Sequence, residues 1–264
     1  MKGLDFMELF DTHSHYNDER FDEDREEIIK LTFESNVTKF MCIGYDIESS
    51  KKAIEISKKH KNIYATCGIS PNDVDGVELS NLDIIEKISE NNSKVLAIGE
   101  IGLDYYWEKD DIKRNIQKEF FISQIKIANK LDLPIVIHTR DAYLDTIKIL
   151  KENKCNNTGI FHCCPLNNEL IKDGLELGYY ISFSGSITFR NSKPDIPISI
   201  VPINRILIET DSPYLTPEPY RGKRNDSRNV IEIARKISEI KKISLEDVAK
   251  ITYQNALKVY KIND

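Results

Sequence analysis

Eight short apolar runs recur along this 264-residue chain, and a helical pattern separates each run from the next. Most of the runs are apolar on both faces. This is typical of parallel strands that carry helices on one side and face a barrel interior on the other. Eight alternations of strand and helix predict an α/β fold, a (β/α)8 barrel of the TIM type. The runs are 7–10, 40–44, 63–68, 95–99, 135–137, 159–161, 180–183 and 206–208.

Helical signals fill the segments between these runs. Apolar residues recur at spacings of three and four from Asp111 to Ala128, and 132–134 ends that helix. Ser244 begins a capping-box pattern near the C-terminus. An open doubly wound sheet would also alternate, but it more often carries a glycine-rich phosphate loop, which is not visible here. Without linkers or repeats, we expect one domain over 1–264.

Composition limits the classes of function. The net charge of −6 argues against a surface built for non-specific nucleic-acid binding, although metal ions can supply local positive charge to a nuclease. No apolar stretch approaches the roughly 20 residues of a membrane-spanning helix, and no signal peptide is evident. Five cysteines without a disulfide framework indicate a reducing compartment. We therefore expect a cytoplasmic protein.

Four of the five histidines follow predicted strands. His13 and His15 are two residues apart, so both imidazoles leave the end of the first strand on one side. His138 follows the fifth strand and His162 the sixth. Because the strands of such a barrel end at one mouth, these four side chains are expected to converge there. Any one of them could instead be a hydrogen-bonded core histidine.

Carboxylates follow two further strands. Glu100 comes after the fourth strand, and Asp211 comes after the eighth. Four imidazoles and two carboxylates are too many ligands for a closed structural zinc site, and they suit two metals about 3.5–4 Å apart that share a carboxylate. Glu209 has the parity of Asp211 but lies deeper, so we expect it to orient a ligand or to hold a proton. Asp11 has the same relation to His13.

Five motifs, in order, closely resemble the TatD family of metal-dependent deoxyribonucleases. The resemblance runs from Met7 to about Tyr260. Residues 1–6 are therefore interpreted as a short N-terminal extension or as a start placed too early. The motifs are DTHSH at 11–15, GEIGLDYY at 99–106, LPIVIHTR at 133–140, IETDSPYL at 208–215 and PYRG at 219–222.

The resemblance implies a TIM-like barrel that hydrolyses DNA phosphodiesters, often from the 3′ end of single strands. It implies two divalent metal ions, Mg²⁺, Mn²⁺ or Zn²⁺, with Glu100 as the bridging ligand. Glu100 and Asp211 are the predicted catalytic residues, because Asp211 could also accept the proton of the attacking water. The implied metal ligands are His13, His15, Glu100, His138, His162 and Asp211.

Two departures from the family pattern lie close to this site. The family usually has Gly-x-His-Pro after the third strand, whereas this chain has Ser70 in place of the histidine. A serine hydroxyl can bind a phosphate oxygen but carries no charge. After His162, the segment 163–166 (CCPL) lacks the usual glycine and contains a proline, so its backbone must differ. Neither departure removes a metal ligand.

Four residues are predicted to contact substrate. Arg140 and Arg221 are candidate phosphate clamps, because a guanidinium matches two phosphate oxygens; for Arg140 an ion pair with Asp141 is the alternative. Tyr105 is the candidate for stacking on an unpaired base, and the two aromatic residues after it could equally cover the following helix. Ser70 is the fourth.

Single-stranded DNA or 3′ ends are thus the predicted partner, with no membrane and no obligate protein partner. Two other readings stay open. The metals could act on a small amide, ester or lactone, or on a D-aminoacyl-tRNA, which the loss of histidine at position 70 favours. Alternatively, the barrel could have lost activity and serve as a binding protein.

Overall fold

A computed structural model of the chain describes residues 7–263, so the predicted extension at residues 1–6 lies outside the described residues. Eight parallel strands form one sheet in chain order, which confirms the predicted (β/α)8 barrel. The strands are β1 Leu9–Ser14, β2 Val37–Ile43, β3 Ile63–Cys67, β4 Val95–Asp104, β5 Ile135–Arg140, β6 Gly159–Phe161, β7 Tyr180–Phe183 and β8 Ile206–Ile208.

Helices follow the strands and cover the outside of the sheet. The helix predicted from Asp111 is α4, and the side chain of Asp110 caps it by accepting from two backbone N–H groups. Within residues 7–263, none of the helices is long and apolar enough to cross a membrane. The helices are α1 Arg25–Phe33, α2 Ile47–Lys59, α3 Leu82–Glu90, α4 Asp111–Leu131, α5 Tyr143–Glu152, α6 Asn168–Glu176, α7 Asp195–Ile200, α8 Val230–Lys241 and α9 Leu245–Val259.

Three strands extend at their carboxyl ends well beyond the apolar runs that predicted them, and β2 begins three residues before its run, at Val37. The predictions for β6, β7 and β8 match the structure, whereas β1, β4 and β5 continue into the polar motifs. His13, Glu100 and His138 therefore lie inside strands and not after them, and that part of the prediction was wrong. The reason is that a strand needs backbone partners more than apolar side chains: Gly102 still pairs with His138, and Asp104 with Arg140.

The barrel interior is filled by side chains from the strands and from α9. Tyr260, the residue directly after α9, stacks on Phe10 of β1, and its buried hydroxyl donates to the carbonyl of Thr12. Asn255 donates to the carbonyl of Ile206, the first residue of β8. The last helix thus fills the amino end of the barrel and leaves the carboxyl end free for a site. The strand residues that pack together in the barrel interior include Phe10, Met41, Ala97, Val136, Ile160, Tyr180 and Leu207.

The barrel closes between β1 and β8 at a sparsely paired seam. One isolated bridge joins Ser14 to Ser212. The fully buried carboxylate of Asp11 adds a side-chain link, because it accepts from Thr210 N at 2.9 Å, from Thr210 Oγ1 at 2.5 Å and from Ser227 Oγ at 2.6 Å. Asp11 contacts the backbone N–H of His13, not its imidazole, so its main task is to hold the seam.

Candidate metal centre

Four of the predicted ligands meet where β1 and β8 end. The Nε2 atoms of His13 and His15 lie 3.2 Å apart. Asp211 Oδ1 lies 3.6 Å from His13 Nε2 and 3.3 Å from His15 Nε2. Glu100 Oε2 approaches His13 Nε2 to 3.5 Å. Two imidazoles and two carboxylates therefore point their ligand atoms at one small volume.

The other two histidines meet the second oxygen of Glu100. Glu100 Oε1 lies 2.9 Å from His138 Nδ1 and 3.2 Å from His162 Nε2. Two groups of ligand atoms share Glu100, and each could hold a metal ion. One group contains His13 and His15, and the other contains His138 and His162. The structure thus brings all six predicted ligands together, with the two oxygens of one carboxylate facing two clusters.

Glycines on β4 allow this convergence. A Cβ atom on Gly102, whose φ is +139°, would lie 2.0 Å from the carbonyl oxygen of His138. A Cβ atom on Gly99 would lie 2.6 Å from the side chain of Val136 on β5. Only glycine permits β4 to approach β5 this closely, and the approach brings Glu100 to His138.

Three of the imidazoles have an oxygen atom of another residue close to the ring nitrogen that does not face the centre. His15 Nδ1 donates to the carbonyl of Ile43 at 3.2 Å, which leaves its Nε2 for the centre. Glu209 is fully buried and accepts from Cys163 N, and its Oε1 lies 3.4 Å from His162 Nδ1. This position agrees with the orienting role expected for Glu209.

Asp104 orients the third imidazole, a role that the sequence reasoning missed. Its Oδ2 lies 3.0 Å from His138 Nε2, so that Nδ1 of the same ring faces Glu100. Asp104 is 1% exposed. The signal was available, because Glu100, Gly102 and Asp104 alternate along β4 and share one face of the strand.

The centre is an array of buried, mutually compensating charges. Burial opposes ionisation of Glu100, but the imidazoles of His162, His13 and His138 outweigh it and hold the pKa of the carboxyl well below its usual range. Burial also disfavours charge on His162, yet Glu100 and Glu209 raise its pKa well above the ordinary value. A divalent cation would replace such protons, because metal ligation requires ionised carboxylates and neutral imidazoles.

A cavity of about 310 Å³ opens onto the centre. Ser70 lines it as predicted, but its Oγ donates to Asp73 Oδ2 at 2.5 Å. Burial raises the pKa of Asp73. The walls also include Tyr45 and Tyr214, which, like Asp73, the sequence reasoning had not selected. Because all three come from loops after different strands, no local pattern identified them.

The two arginines lie outside this cavity. The guanidinium of Arg140 is 3.8 Å above the ring of Tyr106. Within residues 7–263, it forms no ion pair, so the alternative of a pair with Asp141 is wrong. Arg221 donates to the carbonyl of Thr216 at 3.0 Å and lies 3.9 Å over the ring of Phe189. The structure therefore places neither guanidinium among the ligands.

Tyr105 is also outside the cavity. Its half-buried ring lies under the guanidinium of Arg114, and its hydroxyl donates to Asp145 Oδ2 at 2.7 Å. Tyr106 and Trp107 are instead exposed, at 44% and 67%. The expectation that Tyr105 is the ring available to substrate is therefore not met. The turn after β4 directs Tyr105 inward, towards α5.

Asp104→Asn is expected to weaken metal binding about tenfold while the protein stays folded, since partners of metal-bound histidines contribute this much. The amide can still accept from His138 Nε2, but it lacks the negative charge. Equilibrium dialysis followed by metal analysis measures the change. Asp145→Asn, which alters a carboxylate bonded to Tyr105, is the matched control and should bind metal as the wild type does. Equal affinity in both variants would contradict an orienting role for Asp104.

Comparison with known proteins finds one family over nearly the whole chain. The model of the TatD related DNase family matches residues 10–261. YabD of Bacillus subtilis (strain 168), an uncharacterized metal-dependent hydrolase, is 40% identical over 259 residues, which cover 97% of this chain and 100% of YabD.

Solved structures share the same architecture. YjjV, a TatD homologue from Escherichia coli K12, superposes with a TM-score of 0.91 at 24% identity, covering 97% of this chain and 98% of YjjV. A hydrolase of the TatD family from Entamoeba histolytica superposes with a TM-score of 0.83 at 25% identity. The superposition covers 96% of this chain and 98% of the Entamoeba chain. The barrel is therefore shared along its full length.

Proposed function

The chain belongs to the TatD family of metal-dependent hydrolases, and from this premise we propose that it is a deoxyribonuclease that shortens single-stranded DNA from the 3′ end. Its cofactor is proposed to be a pair of divalent ions, Mg²⁺, Mn²⁺ or Zn²⁺. The family match and the six converging ligands support this proposal.

One observation carries the proposal of two metals. Glu100 directs Oε2 at His13 and Oε1 at His138 and His162, so two ligand groups share one carboxylate. The donor set fits such ions, because imidazole nitrogens and carboxylate oxygens are the usual ligands of Zn²⁺ and Mn²⁺, and carboxylates also suit Mg²⁺. His13 and His15 with Asp211 would hold one ion, and His138 with His162 the other.

The protein's own groups then have defined tasks. Bound ions would lower the pKa of a water molecule and neutralise charge on a phosphate oxygen. Burial disfavours the charge of Asp211, but His15 and His13 lower the pKa of this carboxyl, so it is ionised at neutral pH. Its Oδ1 faces both imidazoles and would hold an ion, which leaves the other oxygen to accept a proton. Asp104 keeps the ring of His138 in the orientation that a ligand needs.

The predicted substrate contacts fall into two groups. Ser70 lies in the cavity, but its single hydroxyl proton is directed to Asp73, so the hydroxyl must turn away from Asp73 to donate to a phosphate oxygen. Arg140 and Arg221 lie outside the cavity and are proposed to bind phosphates farther along the strand. Tyr105 is proposed to support the rim of the site through Asp145 and not to stack on a base.

The test uses a 5′-labelled single-stranded oligonucleotide incubated with purified protein in Mg²⁺, in Mn²⁺ and in EDTA. We expect a ladder that shortens from the 3′ end with metal and full-length DNA in EDTA. The Glu100→Gln variant, prepared in parallel, excludes a contaminating nuclease. Intact DNA under all conditions, with metal bound to the protein, would refute the choice of DNA as substrate.

A second candidate substrate class is favoured by the charge of the cavity. Apart from the ligands Glu100 and Asp211, the carboxyl group among the described residues that line it is that of Asp73, and no lysine or arginine lines it. A carboxylate without a cationic neighbour suits a substrate with an ammonium group, such as a D-aminoacyl-tRNA, better than a polyanion alone. Metal-dependent release of a D-amino acid from tRNA, without cleavage of DNA, would support this second function.

A further inference from the structure

An exposed aromatic pair stands directly after β4, beside the candidate metal centre. Tyr106 and Trp107 are 44% and 67% exposed, and Trp107 is the most exposed aromatic side chain in the described range 7–263. Their rings meet edge to face with centroids 4.7 Å apart. Two large apolar rings left in water at the mouth of a barrel mark an interaction surface.

A guanidinium completes this surface. Arg140 lies 3.8 Å over the ring of Tyr106 and 5.8 Å from that of Trp107. The backbone register that pairs Asp104 of β4 with Arg140 of β5 brings the cation to the rings. No carboxylate of the described residues forms an ion pair with Arg140, so its N–H groups can bind an anion while its face stays on the ring.

From these contacts we propose that Tyr106, Trp107 and Arg140 form a platform that binds unpaired nucleotides of the DNA strand whose end enters the metal centre. The proposal rests on the proposed function and extends it to a second contact with the same strand. Rings stack on any unpaired base irrespective of sequence, and a guanidinium binds the phosphate between two bases.

Asp104 contacts both the platform and a histidine of the metal centre. One oxygen of this carboxylate, Oδ1, accepts from the backbone N–H groups of Tyr106 at 2.9 Å and Trp107 at 3.1 Å. The other oxygen, Oδ2, faces His138. Asn72 lines both the metal cavity and a smaller cavity beside Trp107. A strand that leaves the metal centre on this side therefore meets the platform directly.

Packing of the rings against α4 does not explain why they are so exposed. Trp107 contributes to a cavity of about 110 Å³ with Ile116 of α4, yet two thirds of its surface stays in solvent. The nearby carboxylate of Glu108 is partly neutralised by Lys113, 3.8 Å away.

Paired bases in a duplex are already stacked on both faces, so the platform favours single strands over double strands.

Intrinsic fluorescence tests the platform directly, because Trp107 is the only tryptophan of the chain. The probe is a phosphorothioate-linked oligothymidylate of about 12 nucleotides, which resists hydrolysis, titrated into the metal-loaded protein. We expect saturable quenching, and much weaker quenching with the same strand in a duplex. Unchanged fluorescence at saturating probe would overturn the proposal.

Kinetics of two variants supply the second test. Trp107→Ala is expected to raise KM for an oligonucleotide about tenfold, as the loss of one stacked base does, and to leave kcat within twofold. Trp107→Phe should restore most of the affinity. Cleavage of a dinucleotide, too short to reach the platform, should be unaffected. Ile196→Ala, which removes another exposed apolar side chain, should behave as the wild type.

The outcomes separate failure of the platform from failure of the proposed function. If the wild type digests DNA and Trp107→Ala has the same KM, the platform is refuted and the nuclease stands. If the wild type digests no DNA but Trp107 is quenched by the oligonucleotide, the surface binds single strands and the proposed reaction is refuted. If neither occurs, both are refuted.

Discussion

Glu100→Gln is expected to lower kcat/KM for metal-dependent hydrolysis by roughly a thousandfold. The reason is that several kcal/mol of charge stabilisation by the metal ions are lost, and each 1.4 kcal/mol corresponds to about a factor of ten in rate. The carboxamide has one oxygen and one N–H₂ group, so it cannot offer a ligand to both groups. The side chain is almost isosteric, and the barrel should remain folded. Metal analysis after dialysis and the rate with a labelled oligonucleotide measure the effect.

The control for this variant is another exchange of carboxylate for amide. Glu232→Gln alters a side chain on α8 that forms an ion pair with Arg235 and is not one of the ligands. Its metal content and activity should equal those of the wild type. A Glu100→Gln protein that retained both ions and its activity would show that Glu100 is not the shared ligand. Circular dichroism establishes that each variant is folded.

Asp11→Ala is expected to lower the free energy of unfolding by about 3–5 kcal/mol, because a buried donor left without a partner costs about 1–3 kcal/mol and several lose theirs. The donors include the backbone N–H and the hydroxyl of Thr210 and the hydroxyl of Ser227. Urea denaturation in EDTA measures the change without a contribution from metal binding. Since the seam also positions His13 and Asp211, bound metal should decrease as well.

Two further variants separate the seam from general damage to the core. Ser227→Ala removes one donor and keeps the carboxylate, so the loss should be close to 1 kcal/mol. Asp11→Asn keeps one acceptor oxygen, so its loss of unfolding free energy should lie between those of Ser227→Ala and Asp11→Ala. If Asp11→Ala unfolded within 1 kcal/mol of the wild type, the carboxylate would not be what holds β1 to β8.

The same carboxyl makes a prediction about pH. Burial raises the pKa of Asp11 to about 7, against the hydrogen bonds from Ser227 and Thr210, which lower it. An unfolded aspartate releases its proton near pH 4. Between these values the unfolded chain is ionised while the folded chain keeps its proton, so stability is present at low pH and lost as pH rises towards 7. Relative to Asp11→Asn, the wild type should lose stability over this interval.

The barrel and the ligand set were predictable because their determinants are local. The alternation of apolar runs and helical periods requires only short-range patterns, and parallel strands necessarily end at one mouth. His13 and His15 follow from the two-residue repeat of a strand, and the resemblance to a family added the bridging role of Glu100. The ends of β1, β4 and β5 were misjudged because backbone pairing continues where apolar character stops.

Only the tertiary structure decided which side chains contact these ligands and which stay exposed beside the site. Asp104 meets His138 across two strands, and Asp11 meets Thr210 across the seam. Among the adjacent aromatic residues, the turn after β4 directs Tyr105 inward to Asp145 and leaves Trp107 exposed. These outcomes depend on contacts between residues far apart in the chain, which no local period of sequence encodes.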